Sequence, residues 1–217
     1  MPSPRCLSRG LADRRQLRVK RTLDLVLVIA VLPIALPLFM LTALVVACSS
    51  RGPVFYRHRR LGLHGRAFGM LKFRTMRPDA DRLLADYLDA RPQACEQWRA
   101  THKLADDPRL TRVGRWLRRL SLDELPQLLN VLRGEISLVG PRPIIDDEVV
   151  CYGREAAVLH RVRPGITGLW QVSGRHNLPF RRRVALDAAY VRDWSLRLDL
   201  LILARTARAV ATARGAC

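Results

Sequence analysis

The stretch LDLVLVIAVLPIALPLFMLTALVVACSS, residues 23–50, decides how this chain is built. It carries no charged residue from Leu25 to Cys48. As a straight helix that run is about 36 Å long, enough to cross the hydrocarbon core of a bilayer. A cleaved signal peptide would have a shorter apolar core and then a cleavage site of small residues. We therefore predict a membrane segment that the mature protein retains.

Prolines and flanking charges suggest how this segment sits in the membrane. Pro33 and Pro37 lie in its middle, and each removes a helical hydrogen bond. Basic residues flank it on both sides, at Arg14, Arg15, Arg18, Lys20 and Arg21 before it and at Arg51, Arg57, Arg59 and Arg60 after it. The positive-inside rule then puts both ends in the cytoplasm, which a helix–break–helix satisfies and a straight span does not. A single kinked span is the alternative, because transmembrane helices tolerate proline.

The edge of the segment holds one acid, Asp24. An unpaired carboxylate at that depth is costly, so we expect Asp24 to pair with a nearby arginine.

Composition bounds the class of protein. The chain has 217 residues, of which 49% are apolar and 26% charged, so it is large enough for one domain with a core. Its formal net charge of +19 predicts an anionic partner, namely nucleic acid, anionic lipid or a phosphorylated substrate. Five dispersed cysteines without a CxxC pair indicate a reducing compartment, and the histidine spacing argues against structural zinc.

Beyond residue 50 the patterns predict a mixed α/β, mostly helical domain. Short β-rich runs at 54–56 and 68–73 around a Gly-rich turn predict a hairpin. Stretches 133–143 and 161–175, rich in Pro and Gly, are predicted to be loops. Helices are predicted over 79–100 with an interruption near Pro92, over a short basic stretch ending near 119, from the acidic pair to Arg133, over 146–160 and over 184–213.

The acidic pair lies in SLDELPQ, residues 121–127, directly after a stretch from Arg109 to Leu122 that has five arginines and no acid. A structural interpretation exists, because Ser121 and Glu124 have the spacing of a capping box. Pro126 favours a later helix start instead, since proline prefers the first helical position. Both interpretations stay open at this point.

A chemical interpretation of Asp123 and Glu124 follows from their basic surroundings. A carboxylate amid arginines is expected to have a lowered pKa and to be ionised at neutral pH. Arginines near a helix N-terminus also form a phosphate site. An ionised carboxylate beside a bound phosphate can attack phosphorus, while a second carboxylate holds Mg²⁺. The pair therefore predicts a phosphoryl transferase at a membrane surface.

Further cations stand in rigid or strand-like positions. GPRP at 140–143 and RPG at 163–165 each fix an arginine in a turn, Arg142 and Arg163, where a bidentate donor suits phosphate oxygens. Lys72 and Arg74 follow a predicted strand and could present cations likewise. The sequence has no Walker loop or dinucleotide fingerprint, so a nucleotide would bind without either.

The sequence resembles the bacterial sugar transferases, the monotopic phosphoglycosyl transferases, over roughly residues 20–208. The resemblance rests on five stretches in this order: KRTLD, SRGPVFYRHRRLG, FGMLKFRTM, DPRLTRVGRWLRRLSLDELPQLLNVLRGEISLVGPRP and RPGITGLWQVSGR. The run DELPQL…NVL…SLVGPRP is by itself highly specific.

The resemblance implies an activity. Such enzymes move a sugar phosphate from a UDP-sugar to a polyprenyl phosphate such as undecaprenyl phosphate and release UMP. This starts exopolysaccharide, capsule, O-antigen or protein-glycan assembly. Asp123 would attack the sugar-bearing phosphate to give a covalent intermediate, and Glu124 with Asp123 would place Mg²⁺. The residues that match family phosphate-binding positions are Arg118 foremost, then Arg142 and Arg163, then Lys72, Arg74 and Gln171.

The resemblance also implies an architecture. A basic segment, residues 1–21, would precede a re-entrant hairpin over 22–50 with its break at Pro37, and a catalytic domain with membrane-surface helices would follow over 51–217. The enzyme would sit on the cytoplasmic face of the bacterial inner membrane, and a homodimer is compatible with this class. Leu36 replaces the usual serine before the break, and Glu135 stands where aspartate is common. Many relatives carry an extra N-terminal membrane domain, so we expect a minimal catalytic core.

Two other classes of protein fit part of the sequence. A membrane-tethered nucleic-acid-binding protein fits the charge, but only 6% of residues are aromatic and no nucleic-acid-binding motif is visible, so no nucleic-acid partner is expected. An inactive scaffold of a polysaccharide export complex would not need the intact acidic pair. The transferred sugar stays open among glucose, galactose, N-acetylated and diamino sugars.

Overall fold

The computed structural model describes residues 13–101, 104, 106–174 and 178–211. Most of the basic N-terminal segment and Arg175, the last residue of the stretch RPGITGLWQVSGR, lie outside these ranges. The described chain is a mixed α/β, mostly helical structure, which confirms the predicted class. Its elements are α1 (Arg14–Ser49), β1 (Phe55–Leu61), β2 (Ala67–Phe73), α2 (Ala80–Asp89), α3 (Pro92–Thr101), α4 (Arg112–Arg119), α5 (Gln127–Arg133), β3 (Ser137–Val139), α6 (Glu148–Tyr152), α7 (Arg154–Leu159), β4 (Gly165–Thr167), α8 (Leu169–Val172), α9 (Phe180–Arg192) and α10 (Leu196–Ala211).

The membrane segment forms one continuous helix, α1, of 36 residues. Asp13 caps it by accepting the backbone N–H of Arg15 at 2.8 Å. The backbone remains helical through Pro33 and Pro37, so the predicted interruption at Pro37 is not seen. By length and composition α1 is the one helix in the described ranges that could cross a membrane.

Only a narrow stripe of α1 is buried. At helical spacing its members fall within about 40° of one another. They are Asp24, Val28, Ala35, Thr42 and Val46. Large apolar side chains elsewhere on α1 are exposed, with Ile34 at 76% and Met40 at 64%. So broad an apolar surface is typical of a face that contacts lipid.

Both ends of the buried stripe pack on the same domain. Val28 lies in a cluster with Val131 and Ile136 of the segment around α5. Val46 lies in another with Phe73 of β2 and Leu117 of α4. The domain therefore contacts α1 near the beginning and near the end of its apolar run.

A buried polar network fixes the point where α1 becomes apolar. Lys20 Nζ donates to Asp199 at 2.5 Å and to the Val139 carbonyl at 2.9 Å. Asp24 accepts from the Ser137 hydroxyl at 2.7 Å and from the Leu138 backbone N–H at 3.1 Å. The prediction that Asp24 pairs with an arginine was therefore wrong. A serine hydroxyl and a strand amide donate hydrogen bonds to this carboxylate instead.

The predicted hairpin is confirmed as β1 and β2, which pair antiparallel with Tyr56 opposite Lys72. Because side chains of opposed residues share a face, Tyr56, His58 and Arg60 line one face with Phe68, Met70 and Lys72. The other face brings Phe55 and Phe73 to Phe39 of α1, with ring centroids 5.7 and 5.0 Å away. Phe68, on the first face, packs with the cluster around Val28 of α1, so α1 contacts both faces of the hairpin.

The C-terminal half is more divided than the sequence predicted. Helix 146–160 is two helices, α6 and α7, because Gly153 between them has φ 54°. Helix 184–213 is likewise two, α9 and α10, with the buried Trp194 between them. The two predicted loops contain β3 and β4, which pair parallel, and the second also contains α8. The interruption near Pro92 is confirmed between α2 and α3.

Candidate active site

The acidic pair lies in a 3₁₀ turn, Leu122–Glu124, ahead of α5. Ser121 has φ 57° and makes no side-chain cap, so the capping-box interpretation was wrong. Helix α5 begins only at Gln127, after Pro126, as the alternative had it. A non-glycine residue rarely adopts this left-handed backbone conformation, so the surrounding structure must hold Ser121 in it. The turn fixed in this way orients the two acids that follow.

Lys72 links the acids to the hairpin. Its Nζ lies 2.7 Å from Glu124 Oε1 and 4.0 Å from Asp123 Oδ2. One cation therefore contacts both carboxylates. The structure thus brings Lys72, which the sequence suggested as a phosphate ligand, to the acidic pair.

Burial controls the ionisation of Asp123, which is 7% exposed. Burial raises the pKa of Asp123 to about 6, Lys72 and Arg118 lower it, and Glu124 raises it. The predicted lowering of this pKa was wrong, because desolvation outweighs the nearby cations. At neutral pH the carboxylate is still mostly ionised, in a place with little water to stabilise it.

Arg118 is positioned beside Asp123 by the close seating of α4. Its Nε donates to Thr75 Oγ1 at 3.1 Å. Gly114 of the same helix packs so closely that a Cβ there would lie 2.0 Å from the Thr75 carbonyl oxygen. Burial lowers the pKa of Arg118, while Asp123 and Asp107 oppose that effect. Arg118, Lys72, Asp123 and Glu124 therefore form one site.

A second charged cluster, which we call the Arg60–Arg142 cluster, lies along the hairpin face that carries Lys72, with Arg60 buried and the other members half-buried. It consists of His58, Arg60, Arg142 and Glu148. Glu148 lies 3.3 Å from Arg142 and 3.5 Å from Arg60. Burial, together with the charges of Arg60, Lys72 and Arg142, lowers the pKa of His58 to about 4, so His58 is neutral.

Sequence reasoning placed Arg142 among the phosphate ligands but missed His58, Arg60 and Glu148. The strand sequence FYRHRRL carried a signal for two of them. Residues two apart in a strand share a face, so His58 and Arg60 lie together, and the hairpin register puts Lys72 on the same face.

Three predicted phosphate ligands bond to protein carbonyls instead. Arg74 donates to the carbonyls of Ser50 and Pro53, both at 2.6 Å. Arg163 donates to the Gly134 carbonyl at 2.8 Å, at the end of α5 opposite the acidic pair. Gln171 donates to the Ile166 carbonyl at 3.0 Å. The structure does not bring these three to Asp123 in the way it brings Lys72 and Arg118.

The acidic pair fits Mg²⁺ by its chemistry. Mg²⁺ is usually held by one or two carboxylates together with substrate phosphates. Asp123 and Glu124 offer two such carboxylates, and within the described ranges no group of three or more His, Cys, Asp or Glu side chains forms a closed metal cage. The donor set therefore suits a metal that arrives with a phosphorylated substrate.

Comparison with known proteins gives the family. The family model described as bacterial sugar transferase matches residues 15–213, nearly the whole chain. This chain belongs to the bacterial sugar transferase family. It is 50% identical over 196 residues to the exopolysaccharide production protein ExoY of Sinorhizobium fredii, covering 90% of this chain and 87% of that one.

Longer relatives match as well. The chain is 44% identical over 210 residues to the undecaprenyl-phosphate galactose phosphotransferase of Salmonella typhimurium, which covers 97% of this chain but 44% of that protein. It is 45% identical over 195 residues to the undecaprenyl-phosphate glucose phosphotransferase of Komagataeibacter xylinus, covering 85% and 34%. This bacterial sugar transferase therefore corresponds to about half or less of those two proteins.

Proposed function

We propose that this sugar transferase moves a sugar 1-phosphate from a UDP-sugar to undecaprenyl phosphate, with release of UMP. The reaction would start the assembly of an exopolysaccharide, capsule, O-antigen or related glycan. The observation that carries the proposal is the buried Asp123 beside Lys72 and Arg118, next to a helix whose surface suits lipid. The names of the relatives support the substrate classes.

In the first step an Asp123 oxygen attacks the β-phosphorus of the UDP-sugar. A phosphorus–oxygen bond forms, the bond to the bridging oxygen breaks, and UMP leaves with that oxygen. The product is an aspartyl phosphosugar, a mixed anhydride. Desolvation makes the ionised carboxylate a better nucleophile, and Lys72 and Arg118 offset repulsion by the anionic phosphate.

In the second step a phosphate oxygen of undecaprenyl phosphate attacks the same phosphorus. The bond to Asp123 breaks, its carboxylate is regenerated, and undecaprenyl-diphosphate sugar leaves. No net proton transfer is required of the protein. When bound, Mg²⁺ held by Glu124 and Asp123 would supply positive charge against the phosphates.

The proposal includes a re-entrant placement of α1 on the cytoplasmic face of the inner membrane. In a straight helix Val28 and Val46 would be about 27 Å apart. If α1 crossed the bilayer, only one of them could contact a cytoplasmic domain, yet both pack on the same domain. Pro33 and Pro37 remove hydrogen bonds that would resist bending of α1. These features support entry and exit on one face.

The test is UMP release by the full-length enzyme in nanodiscs, with Mg²⁺, undecaprenyl phosphate and a panel of UDP-sugars. We expect release with a particular sugar and its loss in Asp123→Asn. A control variant, Asp106→Asn, neutralises an exposed acid outside the site. Near-normal turnover by Asp123→Asn would rule out the covalent mechanism, and silence of the wild type with every donor would favour a scaffold role.

A further inference from the structure

The Arg60–Arg142 cluster holds more positive than negative charge in a buried place. Arg60 is 8% exposed, and its Nε has no hydrogen-bond partner among the described residues. Two guanidinium groups face the single carboxylate of Glu148. Burial and the charge of Arg142 lower the pKa of Arg60 to about 10, which reflects this crowding of cations.

The other titratable groups around the cluster lie where burial disfavours their charged forms. His58, whose Nδ1 lies 3.4 Å from an Arg60 amino group, is uncharged at neutral pH. Asp187 is fully buried behind Arg142, and burial raises its pKa well above the usual range. Tyr152 is also buried there, with a raised pKa. An anion would therefore be stabilised at this place.

Glu148, which is half-buried, holds its two arginines less closely than two buried ion pairs elsewhere in the described chain are held. It lies 3.3 and 3.5 Å from them and accepts the Ile145 backbone N–H at 3.2 Å. By contrast, Lys20–Asp199 closes at 2.5 Å and Arg109–Asp107 at 2.7 Å. A charge-assisted bond between such groups normally measures about 2.7–2.9 Å. The carboxylate spans a gap between two arginines that a larger anion would fill better.

We propose that Arg60 and Arg142 form a phosphoryl-binding site, and that Glu148 is a stand-in anion which the substrate phosphate displaces. The three non-bridging oxygens of a phosphate suit two guanidinium groups better than one carboxylate does. Substrate binding would exchange Glu148 for a phosphate at nearly constant local charge. This exchange keeps the buried arginines compensated in both states.

The position of the site indicates its ligand, and here the inference rests on the proposed function. Lys72 beside Asp123 and Arg60 in the cluster lie on one face of the hairpin, and the strand partner of Lys72 is four residues from Arg60. That separation is about 13 Å along the backbone, which long side chains at both positions shorten. Lys72 is also one of the charges that act on His58 of the cluster, so we assign the cluster to a phosphate of the substrate bound at Asp123 and use UMP, the departing half of the donor, as its probe. Undecaprenyl phosphate carries the same chemistry and is the competing source.

The experiment measures binding to the full-length protein in nanodiscs with Mg²⁺ by calorimetry, using UMP, undecaprenyl phosphate and inorganic phosphate as separate probes. Glu148→Gln removes the stand-in charge and keeps its shape, so we expect UMP to bind about three to ten times more tightly. Arg60→Gln should weaken UMP binding at least about tenfold. In the double variant the gain from Glu148→Gln should disappear, because the exchange needs Arg60.

The matched controls are Asp146→Asn and Arg59→Gln, which change the same charges in an exposed pair nearby. Both should leave UMP affinity within about twofold of wild type. A gain in Glu148→Gln with undecaprenyl phosphate and not UMP would assign the site to the acceptor. No gain with any probe, or weaker binding together with a lower melting temperature, would show that Glu148 is a structural tether and overturn the proposal.

The two proposals fail separately. If wild type releases UMP from a UDP-sugar and Glu148→Gln shows no gain, the stand-in role alone is wrong. If wild type never releases UMP but Glu148→Gln binds inorganic phosphate more tightly, the anion site stands and the proposed reaction fails.

Discussion

Lys72 Nζ lies 2.7 Å from Glu124 Oε1, and the same nitrogen is 4.0 Å from Asp123 Oδ2. One strand residue therefore reaches both members of an acidic pair that a 3₁₀ turn presents. This pairing ties the charge of the candidate nucleophile to the hairpin. Among the cations around Asp123, Lys72 lowers the pKa of this carboxyl most.

Lys72→Met should raise the pKa of Asp123 further, because burial would then be opposed chiefly by Arg118. In wild type the acid limb of kcat/KM against pH is expected near pH 6, since the nucleophile must be ionised. In the variant the limb should move upward, and kcat/KM at pH 7 should fall about 10- to 100-fold. The measurement is a pH profile of UMP release.

Arg57→Met is the control for this prediction, because Arg57 is exposed and lies on the opposite face of the hairpin. An acid limb that stays in place in Lys72→Met would show that Lys72 does not set the charge of Asp123.

Asp123→Asn should stabilise the fold at neutral pH while abolishing turnover. The folded-state pKa of Asp123, about 6, lies above the unfolded value of 3.8, so ionisation of this group opposes folding once the pH exceeds both. Replacement by a neutral isostere removes that cost, on the order of 1–3 kcal/mol above pH 7. The gain should shrink steadily as the pH falls from 7 to 4, and it vanishes only below the unfolded pKa of 3.8, where both states of wild type carry the proton.

Melting curves of wild type and variant between pH 4 and 8, in chelator to keep Mg²⁺ away, test this prediction. A variant that melts at or below the wild-type temperature at pH 8 would contradict it.

Sequence patterns predicted the structural features that depend mainly on residues close together in the chain. The charge-free run of 24 residues gave helix α1, Pro92 gave a helix end, and β-rich runs around glycines gave the hairpin. Gly153 separates two helices by adopting φ 54°, which spacing alone does not reveal, because a glycine inside a helical pattern is often tolerated.

The candidate site shows the limit of reading charge from sequence. The dyad, Lys72 and Arg118 could be anticipated, but the direction of the Asp123 pKa shift could not. Its burial depends on how α4 and β2 pack around the turn, and burial outweighs the arginines that the sequence displays. Arg74 shows that a position near Lys72 in the sequence does not by itself indicate a role at the site. Its guanidinium donates to the carbonyls of Ser50 and Pro53.

The re-entrant placement predicts that both ends of α1 are reachable from the cytoplasm. Arg14→Cys and Arg51→Cys place a thiol at two exposed positions before and after the apolar run. In single-cysteine backgrounds, a membrane-impermeant maleimide should label neither in intact spheroplasts and both in inverted vesicles. The exposed Cys151 of the domain serves as the cytoplasmic reference. Labelling of one of the two in intact spheroplasts would mean that α1 spans the membrane.

The Lys20–Asp199 pair should anchor α1 to the C-terminal helix α10. The side chains of Lys20 and Asp199 are only 12% and 9% exposed. Tyr190 and Trp194 also donate hydrogen bonds to Asp199. Lys20→Met leaves a buried carboxylate without its cation, which typically costs about 3–5 kcal/mol. We expect the melting temperature in nanodiscs to fall by roughly 10 °C.

Lys20→Met with Asp199→Asn should recover part of that loss, because no uncompensated charge remains. Arg18→Met, at an exposed position two residues earlier on α1, is the matched control. Equal melting temperatures for Lys20→Met and Arg18→Met would mean that the pair does not hold the membrane helix in place.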